Sequence, residues 1–287
     1  MWNILDRSMK LSISFLFFVI CCLTNLLRRV LGQHLSGTGV ILYYHGIRPE
    51  HRNRFADQMD TLLRRARPVE ASFRSALDGG IRYAAVTFDD GYVSFLTTAL
   101  PELERRRIPA AVFVIAEEIG RYPELPSDPS FSESIMSAEQ LLLLPSDLIT
   151  IGSHSLSHRM MTRLDEGEAK RELLQSRARL ESILRTKITL FSFPHGAYNE
   201  RLVQRCREAG YERVFTILPR TAFSDPDEYA VGRVRVDPTD WPLEFKLKLL
   251  GAYRWLPLAF ALKRKIFSFR SHENAHIASK FRTLDRR

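Results

Sequence analysis

Short apolar runs recur along the chain, separated by stretches in which apolar residues fall at helical spacing. The runs at 40–44 (VILYY), 84–88 (AAVTF), 110–116 (AAVFVIA), 149–152 (ITIG), 188–193 (ITLFSF), 214–218 (VFTIL) and 231–236 (VGRVRV) are rich in β-branched and aromatic residues. That pattern predicts short buried strands. Between them, Phe55, Met59, Leu62 and Leu63 share one helical face, and helices are expected over 97–107, 138–144, 165–185 and 200–209. Ser137 and Asn199 stand at N-cap positions, Pro145 stops one helix and Gly210 caps another. In the longest helix Ala169, Leu173, Leu180 and Leu184 form the apolar side. Strands alternating with helices imply βα units around a parallel sheet. With about seven such strands a closed or nearly closed barrel follows, and its chemistry gathers at the C-terminal strand ends. No internal repeat or low-complexity linker interrupts the pattern.

The two ends differ from this body. Residues 11–27 (LSISFLFFVICCLTNLL) are apolar, preceded by Arg7 and Lys10 and followed by Arg28 and Arg29. A signal peptide, a signal anchor and a helix lying in the membrane interface all fit this segment. No Ala-x-Ala-like cleavage site follows the run, which weighs against the first. Residues 245–270 are basic, aromatic and apolar, and fit either an interfacial element or a helix pair covering the barrel. The expected division is a membrane-leaning segment over 1–36, a catalytic domain over 37–244, and a basic amphipathic segment and tail over 245–287.

Composition changes this picture little. The chain has 287 residues, enough for one large α/β domain, and a formal net charge of +9. No nucleic-acid motif accompanies that charge, so an anionic membrane surface is the expected partner. Of the three cysteines, Cys21 and Cys22 are adjacent in the apolar run and Cys206 lies in a helical pattern. A disulfide framework is not expected.

The chemistry is concentrated where strands end. Asp89 and Asp90 follow one run and are followed by Gly91. Side chains alternate along a strand, so a turn must bring both carboxylates to one pocket. Two neighbouring carboxylates resist joint ionisation unless a cation offsets them. Asp-Gly is also ordinary turn chemistry. His154 and His158 follow another run, and two imidazoles with one carboxylate make a three-ligand site of the kind catalytic zinc uses. His45, the Pro194-His195 pair and Asp237 fall at further strand ends.

Taken jointly, Thr87-Phe88-Asp89-Asp90-Gly91, His154-Ser155-Leu156-Ser157-His158, Phe191-Ser192-Phe193-Pro194-His195-Gly196 and Asp237-Pro238-Thr239-Asp240-Trp241 resemble, in order, four motifs of the polysaccharide deacetylases, the NodB-homology or carbohydrate esterase 4 family. The resemblance implies a distorted (β/α)7-type barrel that removes acetyl groups from a polysaccharide, oligosaccharide or glycolipid. It implies Asp89 as general base and Asp90, His154 and His158 as ligands of a divalent metal, Zn²⁺ foremost, with Co²⁺ or Ni²⁺ as alternatives. Many relatives carry an arginine, orienting the base, where this chain has Ser192. Relatives also tend to end in a strand closing on Leu-x-His, whose histidine is the catalytic acid. Here the run ending in His45 has that form, as in a circularly permuted clade resembling poly-N-acetylglucosamine deacetylases. His45 is then the expected acid, with Asp240 or Asp237 as its carboxylate partner. Pro194, His195, Gly196, Tyr198 and Trp241 are the expected substrate-binding residues. Such an enzyme belongs at a membrane of a bacterial cell envelope. A sugar-binding barrel without turnover and a sugar O-acetyl esterase are the competing readings.

Overall fold

The computed structural model describes residues 4–122 and 133–262. A long first helix, α1 (Ile4–Val30), precedes the sheet. The strands are β1 (Thr38–Tyr44), β2 (Arg67–Pro68), β3 (Arg82–Phe88), β4 (Ala110–Val114), β5 (Ile149–Ser153), β6 (Leu190–Ser192), β7 (Arg213–Thr216), β8 (Ala230–Gly232) and β9 (Val234–Arg235). The principal helices between and after them are α2 (Arg52–Arg65), α3 (Leu100–Arg106), α4 (Ala138–Leu142), α5 (Glu166–Leu184), α6 (Glu200–Glu208) and α7 (Pro242–Leu249).

The strands run parallel in the order β8-β7-β6-β5-β4-β3-β1-β9, with β2 paired to β3. Both ends of this ladder lie in one extended segment, 230–235. Its first half pairs with β7 and its second half with β1. Only Arg233 separates the two halves. The barrel is thereby nearly closed. The single run expected at 231–236 is therefore two strands. β2 has two residues, one of them proline, and carries no alternation that a sequence pattern could show.

Alternation along the strands sorts the core into two layers. Ile41, Ala85, Ala111, Phe113, Leu190, Phe215 and Val231 form an inner cluster. Val40, Leu42, Tyr44, Val86, Val112 and Val114 belong to an outer cluster with Phe55, Met59, Leu103, Leu173 and Leu180 of the helices. Strands buried on both faces have to read as unbroken apolar runs, which explains the pattern along the chain. Gly152 is required by packing, since a Cβ there would meet the Phe113 ring at 2.6 Å.

The helix caps fall where the sequence places them. Ser137 accepts from the Gln140 amide, and Asn199 accepts from the Leu202 amide. Asp165 and Glu168 make a reciprocal capping box at the start of α5. α7 crosses position 245, and Phe245, Leu247, Leu249, Ala252 and Tyr253 are buried in the outer cluster. Lys263, Arg264, Lys265, His272 and His276 lie outside the described residues.

Candidate active site

β3 delivers the two aspartates. The Asp89 amide still donates to the Tyr44 carbonyl, prolonging the β1–β3 ladder by one step. Asp90 then turns into the left-handed region at φ 71°, followed by Gly91 at φ 83°. Such a conformation is costly for a residue with a side chain, and here it buries both carboxylates at one end of the barrel.

β5 delivers the histidines. The residues after it form a loop, not a helix, with Ser155 at φ 66° and His158 at φ 59°. The loop is fixed from α5. The buried Glu172 carboxylate accepts from the Leu156 and Ser157 amides at 2.9 Å each and from the Ser157 hydroxyl at 2.5 Å. Glu172→Ala is expected to strand those two amides, to cost about 1–3 kcal/mol, and to loosen His158. Chemical denaturation together with equilibrium dialysis of Zn²⁺ checks this, with weaker metal binding expected alongside the lost stability.

Asp90, His154 and His158 come together. Their ligand atoms all lie within 4.8 Å of one another. Asp90 Oδ1 is 3.4 Å from His154 Nε2 and 3.5 Å from His158 Nε2. The His154 Nδ1–H donates to the Ser192 carbonyl at 2.9 Å, which leaves the Nε2 lone pair facing Asp90. Burial pushes the His154 pKa down. Burial, then the neighbouring His154, brings His158 down to about 4. Both imidazoles are therefore neutral near pH 7. Both Asp90 oxygens and both His158 ring nitrogens are buried and have no hydrogen-bond partner among the described residues. Unpaired buried acceptors are costly. A divalent cation shared by a carboxylate and two neutral imidazoles would satisfy them, so the residues fit the metal that the resemblance implies.

Asp89 has different surroundings. Arg233, fully buried between β8 and β9, grips it with two bonds: Nη1 to Oδ1 at 2.7 Å and Nη2 to Oδ2 at 2.8 Å. Arg233 also donates to Ser192 Oγ at 2.7 Å and to Thr87 Oγ1 at 3.1 Å. Its guanidinium lies against the rings of Tyr43 and Phe113. Burial alone would raise the Asp89 pKa, but Arg233 overrides it and holds the carboxyl at about 2. Asp89 is thus ionised at every physiological pH.

The guanidinium expected from position 192 therefore arrives from another strand, and Ser192 leaves room for it. The signal was alternation. Val231 faces the barrel interior, so Arg233, two residues on, must face it too.

His45 follows the last residue of β1. The register Tyr44↔Phe88 sets it level with Asp89, and its charge helps to lower the Asp89 pKa. It is half-buried, edge-on to Tyr43 at 5.8 Å. The structure does not bring Asp240 or Asp237 into a hydrogen bond with it. Asp240 accepts from Lys248 Nζ at 2.7 Å and from the Asp237 amide at 3.1 Å, with Arg7 Nη2 3.9 Å away. Burial pushes Asp240 up to about 6 against the pull of Lys248. Asp237 Oδ1 accepts from the Thr239 amide and hydroxyl. Both carboxylates hold their own loop and its helix.

The remaining candidates divide. His195, at φ 56°, places its ring 4.5 Å from that of His158, with Nε2 3.2 Å from the His158 carbonyl. Gly196, at φ 66°, has no room for a side chain, since a Cβ would lie 2.1 Å from Ile217. Pro194 is buried, and Tyr198 stacks on Phe193 at 5.6 Å. Trp241 is partly exposed beneath the Arg7 guanidinium, 4.5 Å from the ring centre.

Comparison with known proteins agrees with this architecture. Residues 77–214 match the family model for polysaccharide deacetylases. The structure of IcaB from Ammonifex degensii superposes with a TM-score of 0.63 at 28% identity, covering 77% of this chain and 100% of IcaB. In sequence and in fold the barrel is similar to the polysaccharide deacetylases. YxkH of Bacillus subtilis (strain 168), assigned to the polysaccharide deacetylases, is 29% identical over 173 residues, or 60% of this chain. The chain spans 58% of the length of YxkH. The fold is also that of the Streptococcus pyogenes deacetylase PplD in complex with acetate, with a TM-score of 0.62 at 18% identity over 75% of this chain and 99% of PplD.

Proposed function

We propose that this barrel is a metal-dependent hydrolase that cleaves the N-acetyl group of a glycan or glycolipid, releasing acetate and a free amine. The observation that carries the reading is an ionised Asp89 adjoining a buried cluster of unpaired Asp90, His154 and His158 ligand atoms. Two imidazoles and a carboxylate suit Zn²⁺, and Co²⁺ or Ni²⁺ also suit them. A divalent cation there would supply Lewis-acid polarisation of the acetyl carbonyl and favour ionisation of the attacking water.

The protein's own groups do the rest. Asp89, held in one orientation by Arg233 and Ser192, takes the proton of the attacking water. His45, across the strand end from Asp89, gives a proton to the leaving nitrogen as the carbon–nitrogen bond breaks. His195 and Gly196, beside the histidine cluster, border the sugar. Trp241, at the loop rim, offers a sugar-stacking face. We place the protein at a membrane of a bacterial cell envelope, where acetylated glycans and glycolipids occur.

A serine at position 192 in place of the base-orienting arginine would by itself favour a sugar-binding barrel without turnover. Arg233 supplies the guanidinium at Asp89, which removes that support. Amide and ester cleavage share the attacking water and the base but differ in the leaving group. An alkoxide needs a proton less than an amine does, so His45 separates them. Acetate release is to be measured on N-acetylglucosamine oligomers and on O-acetylated xylan. The amide substrate is expected to be hydrolysed faster. Ester turnover alone would contradict the N-acetyl reading.

With His45 as the acid, the rate on the amide substrate is expected to fall on the alkaline side, because the leaving nitrogen has to receive a proton. His45→Ala should flatten that limb and lower the plateau by roughly 10²-fold or more, while bound metal is unchanged. An alkaline limb that survives in His45→Ala would remove His45 from the acid role.

A further inference from the structure

We infer that α1 is a membrane-docking helix that lies in the plane of the bilayer surface and does not span it. Composition alone admits a span, since residues 6–30 are long and apolar enough to cross. The structure shows where that helix is engaged. Arg7, Leu11, Ser14, Phe18 and Cys21 recur every three or four residues and face the barrel. Arg7 donates to Glu244 Oε2 at 2.7 Å and to the Thr239 carbonyl at 2.9 Å. Ser14 is fully buried and accepts from Trp255 Nε1 at 2.9 Å. Arg254 reaches Cys21 Sγ at 3.8 Å.

This docking leaves only residues 22–30 of the helix free of the barrel. Nine helical residues are about 14 Å long. The hydrocarbon core is about 30 Å thick and needs about 20 residues. A docked α1 is therefore too short to span.

Its opposite face has the chemistry of an interface-seeking helix. Met9, Ile13, Leu16, Ile20, Leu23 and Leu27 repeat every three or four residues, and all are exposed. The stripe follows the whole helix, along the docked part as well as the free end. At the Arg7 end of the helix, exposed Trp241 lies beneath the Arg7 guanidinium and exposed Leu243 follows on α7, and exposed Leu258 and Phe260 come shortly after Trp255, which bonds Ser14 of α1. Arg28 and Arg29 stand exposed at its free end, on a chain of net charge +9. An apolar stripe ending in arginines complements an anionic bilayer surface. Trp241, on the loop beside the catalytic rim, is the residue type that settles at the lipid–water boundary. The orientation lays the barrel on its side and brings the mouth of the site to membrane level.

The test uses the full chain with vesicles of phosphatidylcholine, with and without phosphatidylglycerol. The wild type should co-sediment, and more strongly when phosphatidylglycerol is present. The triple variant Leu16→Asp, Ile20→Asp, Leu23→Asp should lose binding by about a hundredfold or more. Its circular dichroism melt should be unchanged, because these positions touch solvent. Depth decides the orientation. In a Cys21→Ser, Cys22→Ser background, an environment-sensitive fluorophore on Leu16→Cys or Leu27→Cys should be quenched best by shallowly brominated lipid at both positions. Depth that runs through the bilayer midplane along the helix would overturn the in-plane reading. Failure of the wild type to sediment would overturn membrane docking. So would a triple variant that turns a dimer into a monomer with vesicle binding unaltered, since the stripe would then be a protein interface.

Discussion

Arg233→Met is expected to cost about 3–5 kcal/mol of stability at pH 7 and to abolish measurable turnover. The methionine fits among Tyr43, Phe113 and Phe215, which now border the guanidinium. What it removes is the only arginine or lysine that pairs with Asp89 among the described residues. A buried carboxylate without its partner must either take up a proton or open the barrel. The pH dependence distinguishes this from lost packing. In the wild type the Asp89 pKa is depressed to about 2, below its unfolded value, so the ion pair contributes above about pH 4 and is lost as the pH falls towards 2. In Arg233→Met the unpaired carboxyl titrates upward, and the deficit against wild type should shrink as the pH falls. Urea denaturation at pH 7.5 and pH 5 measures this. A deficit independent of pH would mean that Arg233 acts through packing alone.

Asp89→Asn is the second large effect. Removing a general base lowers turnover by roughly 10²–10⁴-fold. The variant should keep its metal, because Asp89 is occupied by Arg233 and Ser192 while Asp90 faces the histidines. Asp90→Ala should show the opposite combination, with metal lost first and activity lost in consequence. Elemental analysis beside acetate release separates the two. An Asp89→Asn protein that loses metal and recovers rate in excess metal would exchange the roles of the two aspartates.

Much of this site is legible in the sequence, because its residues end strands. Asp89-Asp90 and His154 each terminate an apolar run, and a parallel barrel has to gather such ends on one rim. His45 is placed by the same logic, together with the likeness of its run to a strand that closes on a histidine. The other groups are hidden for physical reasons. Arg233 lies 144 residues from Asp89, and it reads as one more cation in a run that also holds Arg235. Alternation puts both on the same face of the strand, yet Arg233 is fully buried and Arg235 is exposed, so phase alone does not distinguish them. Glu172 looks like a surface charge of α5 until the loop that it bonds is seen. Asp240 is the partner that the motif suggests for His45, yet Lys248, in the last turn of α7, claims its carboxylate. Contacts between distant helices leave no periodic trace, so the apolar pattern of α1 cannot distinguish a span from a docked face, whereas Arg7 on Glu244 and Trp255 on Ser14 can.

The central claim is that Asp90, His154 and His158 hold the metal with which this barrel deacetylates its substrate. The most direct measurement is acetate release from an N-acetylglucosamine oligomer by chelator-treated protein, before and after one equivalent of Zn²⁺ is returned, for the wild type and for His154→Ala, His158→Ala. The account predicts no acetate without metal, recovery in the wild type with about one bound ion per chain, and neither recovery nor bound ion in the double variant, whose circular dichroism matches wild type. Acetate release that survives chelation, or a double variant that binds the ion and turns over like wild type, would contradict it.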